Sequence, residues 1–328
     1  MSALETMMPP VQRAAVNGVE IAYYEAGPRQ GVPIVLCHGF PELAFSWRHQ
    51  IKALADAGRW VIAPDQRGYG LSSKPADVTD YDLAHLTGDL VGLLDHLGVE
   101  KAIFVGHDWG GIVVWQMPLM HPDRVAAVIG LNTPFLPRAP ADPIVIMRNR
   151  FGPDMYIVWF QNPDDPEATL GADVDKTMRF FMRKPAALAA ATALQASASG
   201  STFAFKELLA GWDGKTGSEQ VLTPDELAVF VEAFETGGFF GPVSWYRNFT
   251  RNWERAEGLK QRIDGIPCLM ITAELDAVLS PAMAEPMPAF IGDLETHMVR
   301  GSGHWTQQEK PAEVNRLVLD WLDRRFPK

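Results

Sequence analysis

Gly106-His107-Asp108-Trp109-Gly110 follows the short apolar run Ala102-Ile103-Phe104-Val105 and precedes an apolar segment from about Gly111 to His121. Two glycines flank one polar side chain between a predicted strand and a predicted helix. This is the G-x-Nuc-x-G pattern of a sharp strand-to-helix turn, with Asp108 where a serine is expected. A Cβ at either glycine would clash with neighbouring backbone in so tight a turn. The tip side chain is left exposed, and the N–H groups and positive dipole end of the following helix point at it. A carboxylate held there stays ionised and can act as a nucleophile. Asp is also a common helix N-cap, and these five residues alone leave both readings open.

Working outward, Val11 to Glu25 reads as two short strands around Asn17-Gly18, a hairpin turn signal. Pro33 to Cys37 is a buried-type strand running into His38-Gly39-Phe40-Pro41-Glu42. Ser46 to Ala57 reads as a helix closed by Gly58. Trp60 to Ala63 is a strand followed by the glycine-punctuated loop Asp65 to Ser72. Tyr81 to Leu97 carries apolar residues at helical spacing and stops at Gly98. Val125 to Leu131 is the sixth strand and ends at Asn132-Thr133-Pro134. This alternation signals an α/β fold with a mostly parallel sheet flanked by helices, in which ligands bind at the carboxyl ends of strands. His38, Asp65, Asp108 and Asn132 all fall at such ends.

The pattern then changes. Phe135 to about Asp264 shows no clear strands, is rich in Met, Phe and Trp, and holds helix-like runs such as Asp225 to Phe234, with Thr223 as N-cap and Pro224 at the first helical position. It reads as a mainly helical cap, or lid, inserted after the sixth strand. Alternation resumes with the strand Pro267 to Thr272, a helix near Met283, a strand at His297 to Val299 and a last helix from Ala312 to Arg325. The expected organisation is a core domain made of residues 1–134 and 265–328, with a cap domain at 135–264. An Ala/Ser-rich patch, Ala186 to Ser201, is the one compositionally simple stretch.

Composition narrows the partners. The chain has 328 residues, enough for a large core, and a net charge of −11, which argues against nucleic acid or an anionic membrane. No stretch of about 18 apolar residues suggests a membrane span, and no apolar segment near the N-terminus suggests a signal peptide. Cys37 and Cys268 each lie inside an apolar run and read as buried thiols in a reducing compartment, so a cytoplasmic protein is expected.

A carboxylate nucleophile makes an ester with its substrate, and releasing that ester takes an oriented base that activates water. Of eight histidines, His304 stands out because it lies in the glycine-rich loop Arg300-Gly301-Ser302-Gly303-His304-Trp305 after the last strand. A lone loop histidine is as often a solvated or capping side chain, and the nucleophile turn tips the reading toward the base. The orienting acid is expected after the strand ending at Thr272. Asp276 is preferred there over Glu274 because it lies deeper in the loop, before Ala277-Val278-Leu279. Asn132 cannot serve as a charged acid. A tetrahedral oxyanion needs two N–H donors, which Trp109 and Phe40 are placed to supply, with Pro41 holding the loop, in a cis bond if need be. Among six tyrosines, only Tyr156 and Tyr246 lie in the insertion, each in an aromatic cluster. A phenol stays protonated near pH 7 and can donate a proton to a substrate oxygen. Two ordinary core tyrosines are the competing reading.

Taken together, His38 to Glu42, Asp65 to Ser72, Gly106 to Gly111, Gly303-His304-Trp305-Thr306-Gln307, Tyr156 with Phe160-Gln161, and Trp245-Tyr246-Arg247-Asn248 resemble the blocks of the soluble epoxide hydrolases of the α/β-hydrolase superfamily. The resemblance runs from about Val11 to Phe326, and the combination is specific where each short block is not. It implies Asp108 as nucleophile, Asp276 and His304 as the charge-stabilised base, Tyr156 and Tyr246 as donors to the epoxide oxygen, and Phe40 and Trp109 as the oxyanion hole. It also implies substrate contacts from Phe40, Pro41, Trp109, Phe135, Trp159 and Trp305. The implied product is a vicinal diol, with no metal or organic cofactor, from a small, apolar epoxide. A haloalkane dehalogenase-like enzyme is the nearest rival, since it too pairs an Asp nucleophile with a following Trp. However, the Phe40 side chain offers a halide no donor, and a halide needs no proton from paired tyrosines. A non-catalytic ligand binder of the same fold is a further alternative. The absence of any G-x-S-x-G disfavours a serine esterase.

Overall fold

The computed structural model describes residues 2–184, 203–215 and 217–328, and the Ala/Ser-rich patch lies outside them. Among the described residues, one sheet of eight strands carries the α/β part: β1 (Val11–Val16), β2 (Val19–Ala26), β3 (Ile34–Cys37), β4 (Val61–Pro64), β5 (Ala102–His107), β6 (Val125–Leu131), β7 (Cys268–Ala273) and β8 (Leu294–Val299). The order is β1-β2-β4-β3-β5-β6-β7-β8. β2 is antiparallel to both β1 and β4, and every other pair is parallel. β3, β4, β5 and β7 are buried along their whole length, as expected of parallel strands covered on both faces.

The chain steps from β3 out to β4, then returns past β3 to β5 and builds away in the opposite direction. The loops leaving β3 and β5 therefore diverge, and they open a crevice at the carboxyl ends of these two neighbours. The helix Trp109–Met120 that follows β5 is buried on several sides, with Trp109, Val113, Val114, Trp115 and Met117 all inside. It has no polar stripe because it packs as a core helix.

Several elements depart from the sequence expectation. The region near Met283 forms two 3₁₀ turns, Pro281–Ala284 and Met287–Ala289, rather than a helix. Pro281, Pro286 and Pro288 remove donors and crowd the preceding carbonyls, which blocks an α-helical ladder. β8 begins at Leu294, three residues before the expected start, and it is the exposed outer strand, so its burial pattern carries little periodic signal. A short helix, Ala3–Met7, closed by a Ser2–Glu5 capping box, was not expected. The Pro224–Gly237 helix has Thr223 at its N-cap, with a capping box to Glu226.

The chain packs as two compact units. The first comprises residues 1–73, 83–137 and 258–328 and holds the sheet. The second comprises 74–82 and 138–257 and is helical. Residues 74–82 belong with the helical unit because the Asn248 amide donates to the Val78 carbonyl at 2.7 Å, and Arg251 and Arg255 pair with the fully buried Asp82 carboxylate. Among the described residues no helix is long and apolar enough to cross a membrane.

Candidate active site

Asp108 sits at the N-cap position of the Trp109–Met120 helix with φ 50° and ψ −121°, a strained conformation for a residue with a Cβ. Gly106 and Gly110 make it attainable. A Cβ on Gly106 would fall on the Gly110 carbonyl, and one on Gly110 would fall on the Cys37 carbonyl. The Asp108 side chain makes none of the usual cap bonds to the later N–H groups of the first turn. Instead its Oδ1 accepts the Phe40 N–H at 2.7 Å, from the loop after β3, and the carboxylate also takes the Trp109 N–H. The Phe40–Pro41 bond is cis. Thr133, at the end of β6, ties down the elbow by donating to the Asp108 carbonyl at 2.7 Å.

His304 Nε2 lies 3.6 Å from Asp108 Oδ2, and its Nδ1 lies 2.9 Å from Asp276 Oδ2. Asp276 is 3% exposed, and its other oxygen accepts the Val278 and Leu279 N–H groups, each at 2.9 Å. Glu274, the alternative acid, points to the surface and holds Arg300 and the Gly301 N–H. Burial alone would raise the Asp276 carboxyl. The His304 charge and hydrogen bond, the Leu279 N–H and the Asn132 amide outweigh it and hold Asp276 well below the usual carboxylate range. Burial would likewise lower the His304 imidazole, but Asp276 outweighs it, helped by Asp108 and Glu42, and the group is pushed up to about 9. Burial pushes the Asp108 carboxyl up, and the charges of His304 and His107 and the two backbone N–H groups oppose that without cancelling it.

The structure adds three side chains that sequence reasoning passed over. Asn132, set aside as a poor acid, donates its amide to Asp276 Oδ2 at 2.7 Å and so orients the acid. His107 points into a network of its own. Its Nδ1 meets Glu42 Oε2 at 2.7 Å and its Nε2 meets the His304 carbonyl at 2.6 Å, all in buried surroundings. Glu42 also accepts the Gly39 N–H at 3.0 Å and the Gln307 amide at 2.8 Å. Burial would raise Glu42, yet His107 and the Gly39 N–H keep it below the usual range. The available signal for Glu42 was a carboxylate closing the short loop His38 to Glu42 directly after a wholly buried strand. Asp65 and His38 serve loop geometry: Asp65 takes the Ala44 and Leu71 N–H groups, and His38 Nε2 takes that of Gln66.

Of the expected substrate contacts, the Trp305 ring packs edge-on to His304 at 4.6 Å between centroids. Phe135 is buried beside Trp115 and Phe290. Trp159 belongs to the helical unit, where its indole N–H donates to Asp165 and it helps line a polar cleft of about 220 Å³ with Arg148, Asp154 and Lys206.

Tyr156 and Tyr246 also lie in the helical unit, on the helices Tyr156–Trp159 and Phe240–Arg247. Their rings meet edge to face at 5.8 Å, and the Phe160 ring contacts both, at 5.7 and 5.0 Å. Phe205 stacks on Tyr156 at 4.4 Å. The Gln161 amide joins the two helices by donating to the Ile157 and Tyr246 carbonyls, and Arg247 braces the pair through Glu167 and the Phe160 carbonyl. Both thiols are buried, and burial pushes Cys268 up to about 12 and raises Cys37 as well. Among the described residues no group of three His, Cys, Asp or Glu side chains is arranged to hold a metal ion.

A family model described as the alpha/beta hydrolase fold matches residues 32–311. Epoxide hydrolase A of Mycobacterium tuberculosis is 43% identical over 318 residues, covering 93% of this chain and 95% of the relative. Bifunctional epoxide hydrolase 2 of Sus scrofa is 41% identical over 93% of this chain, which corresponds to 54% of that longer protein. The crystal structure of epoxide hydrolase A from Mycobacterium thermoresistibile superposes with a TM-score of 0.86 at 41% identity, covering 96% of this chain and 98% of that one.

Proposed function

The chain belongs to the epoxide hydrolase family of the α/β-hydrolase fold, it is an epoxide hydrolase, and we propose that it works through a covalent ester on Asp108. The observation that carries this route is the environment of one carboxylate. Asp108 occupies the nucleophile turn, its Oδ1 is held by the Phe40 N–H, and His304 stands 3.6 Å from its Oδ2. The oxygen facing His304 is the attacking one. It displaces the ring oxygen from an epoxide carbon, so one C–O bond forms as one breaks, and the ring oxygen takes up a proton, for which the phenols of Tyr156 and Tyr246 are the proposed donors. Oδ1 then becomes the carbonyl oxygen of the ester, already in the hole formed by Phe40 and Trp109. His304, oriented by Asp276, takes a proton from water, and hydroxide adds to the Asp108 carboxyl carbon. Collapse of the oxyanion releases the diol and restores the carboxylate.

Donor tyrosines are supported by the convergence of the two phenol-bearing rings in one braced aromatic cluster, and the surrounding Phe160, Phe205 and Phe249 favour an apolar epoxide. Residues 135–264 are read as the cap domain. Two buried thiols that remain unpaired fit a cytoplasmic, reducing compartment. The test is to incubate the protein with styrene oxide and with 1-bromobutane and to assay diol and bromide. Diol formation is expected, and bromide release without diol would refute the reading in favour of a dehalogenase.

A further inference from the structure

The loop that carries His304 is built from residues with little conformational restraint of their own, with Gly301 at φ 60° and Gly303 next to the base. Side chains from other elements fix it. The Gly303 carbonyl accepts the Asn132 amide at 3.2 Å and the Thr306 hydroxyl at 2.8 Å, and the His304 carbonyl faces His107 Nε2. These three hold the carbonyl side of the loop. On the N–H side, Glu309 Oε2 accepts the Gly303 N–H at 2.8 Å, and Oε1 accepts the Trp305 N–H at 3.0 Å. One carboxylate thus straddles the base and grips the residue on each side of it.

We propose that Glu309 is a positioning residue for His304, and that its two-sided grip on the Gly303 and Trp305 N–H groups serves ester hydrolysis rather than ester formation. The proposal rests on His304 being the base of the second step. Attack by Asp108 on the epoxide does not use the imidazole as a base, whereas hydrolysis needs Nε2 aimed at a water beside the ester carbon. Charge-assisted bonds to two amides separated by a single residue fix both the position and the tilt of the segment between them, which a single bond would leave free to swing. An ordinary helix-start role predicts only lost stability, because Glu309 ends the four-residue helix Thr306–Glu309 that begins beside Trp305. Burial raises the Glu309 carboxyl, and the two N–H groups oppose it, as expected of a carboxylate kept for its acceptors.

The experiment is single-turnover kinetics with styrene oxide on the full chain carrying Glu309→Gln, with Glu309→Asp as a second variant in case the first folds poorly and His304→Gln as the reference. Quenched samples are read by intact mass for the ester and by chromatography for the diol, and thermal melting is recorded in parallel. A base displaced by about 1 Å costs roughly 100-fold. Glu309→Gln should therefore form ester within about threefold of the parent and hydrolyse it roughly 100-fold more slowly, so that the adduct accumulates. Equal slowing of both steps in proportion to lost stability would overturn the proposal and leave a helix cap, as would parental hydrolysis rates in both Glu309 variants. If His304→Gln accumulates adduct and the Glu309 variants do not, only this proposal fails. If His304→Gln accumulates none, the base assignment fails and takes this one with it.

Discussion

Asp276→Asn removes one charge and leaves the shape of the site almost unchanged, so its effect can be worked out from the hydrogen bonds. The carboxylate has four donors aimed at it: the Val278 and Leu279 N–H groups on Oδ1, and the Asn132 amide and His304 Nδ1 on Oδ2. An amide has one oxygen to offer. The two backbone N–H groups cannot become acceptors, so the oxygen of Asn turns toward them and its NH₂ faces His304. Nδ1 of His304 must then accept, which puts the ring proton on Nε2, the atom that should take a proton from water. The charge is lost as well. An imidazole lifted from 6.5 to about 9 holds its proton more tightly by about 3 kcal/mol, on the order of 10²-fold, and Asp276 is the largest favourable contributor. Lost charge and wrong tautomer together should slow ester hydrolysis by about 10³ to 10⁴, the scale seen when the acid of a hydrolase triad becomes an amide. Ester formation does not need a neutral His304 and should stay within about tenfold at pH 8. The assay is rapid-quench single turnover with styrene oxide, reading adduct by intact mass and diol by chromatography. Diol produced at the parental rate with no adduct would refute the assignment of Asp276 as the partner of the base.

Other outcomes follow from the same geometry. Asp108→Ala should give neither adduct nor diol in the same assay, and residual turnover above a few per cent would remove Asp108 from the nucleophile role. Tyr156→Phe combined with Tyr246→Phe should slow ester formation by about 10² to 10⁴, the usual contribution of a general acid, and an unchanged rate would make both ordinary core rings. The raised His304 group stabilises the fold fully below its unfolded value near 6.5, and this contribution is lost as pH rises toward about 9. The stability gap between the parent and His304→Gln in urea should therefore shrink by about 3 kcal/mol from pH 6 to pH 9.5, whereas a pH-independent gap would contradict the shift. Gly110→Ala should abolish the folded elbow, because its Cβ would fall on the Cys37 carbonyl, and a soluble, fully active variant would show that the turn can relax.

What the sequence shows of this molecule divides along physical lines. β3, β5, β6 and β7 are continuous apolar runs, and a run that must be buried on both faces announces itself without any knowledge of its neighbours. The first three residues of β8 are Leu294, Glu295 and Thr296. Leu294 and Glu295 are only partly buried and Thr296 is exposed, and an outer strand satisfies just one edge, so their pattern looks like loop. The run around Met283 has helical composition except for its prolines, and the prolines decide. In the site, Asp108, Asp276 and His304 stand out as polar residues at strand ends, where the alternation leaves few candidates. Glu42, His107 and Asn132 do not stand out, because what each does depends on a partner 65 to 144 residues away. Asn132 is the instructive case: as a charged acid it fails, and as a donor to that acid it fits, and only the fold shows which is needed. The tyrosines carry a local signal, their aromatic surroundings, but their mutual approach at 5.8 Å arises from the packing of two helices distant in sequence.

On the proposed route His304 must be a cation at one point of the cycle and a base at another, and the arrangement of charges accounts for both. In the resting site its imidazole lies between two carboxylates, Asp276 at 2.9 Å and Asp108 at 3.6 Å, with Glu42 adding to the negative field, and at neutral pH it carries a proton. Such a group cannot accept another. On the proposed route, esterification removes the charge of Asp108. The field that held the proton weakens while burial, the largest influence opposing the cation, is unchanged, so the proton affinity of His304 falls at the moment a base is needed. The balance of protons closes as well. A phenol gives the ring oxygen the proton that makes it the hydroxyl of the ester, and the proton that His304 must lose to become a base restores the phenol. In the second step water returns a proton to His304 as hydroxide adds to the ester, and the restored carboxylate again faces a cation. Asp276 keeps its charge throughout, which is why it can orient the ring in both states and why Asp108, whose charge switches on and off, cannot share that task.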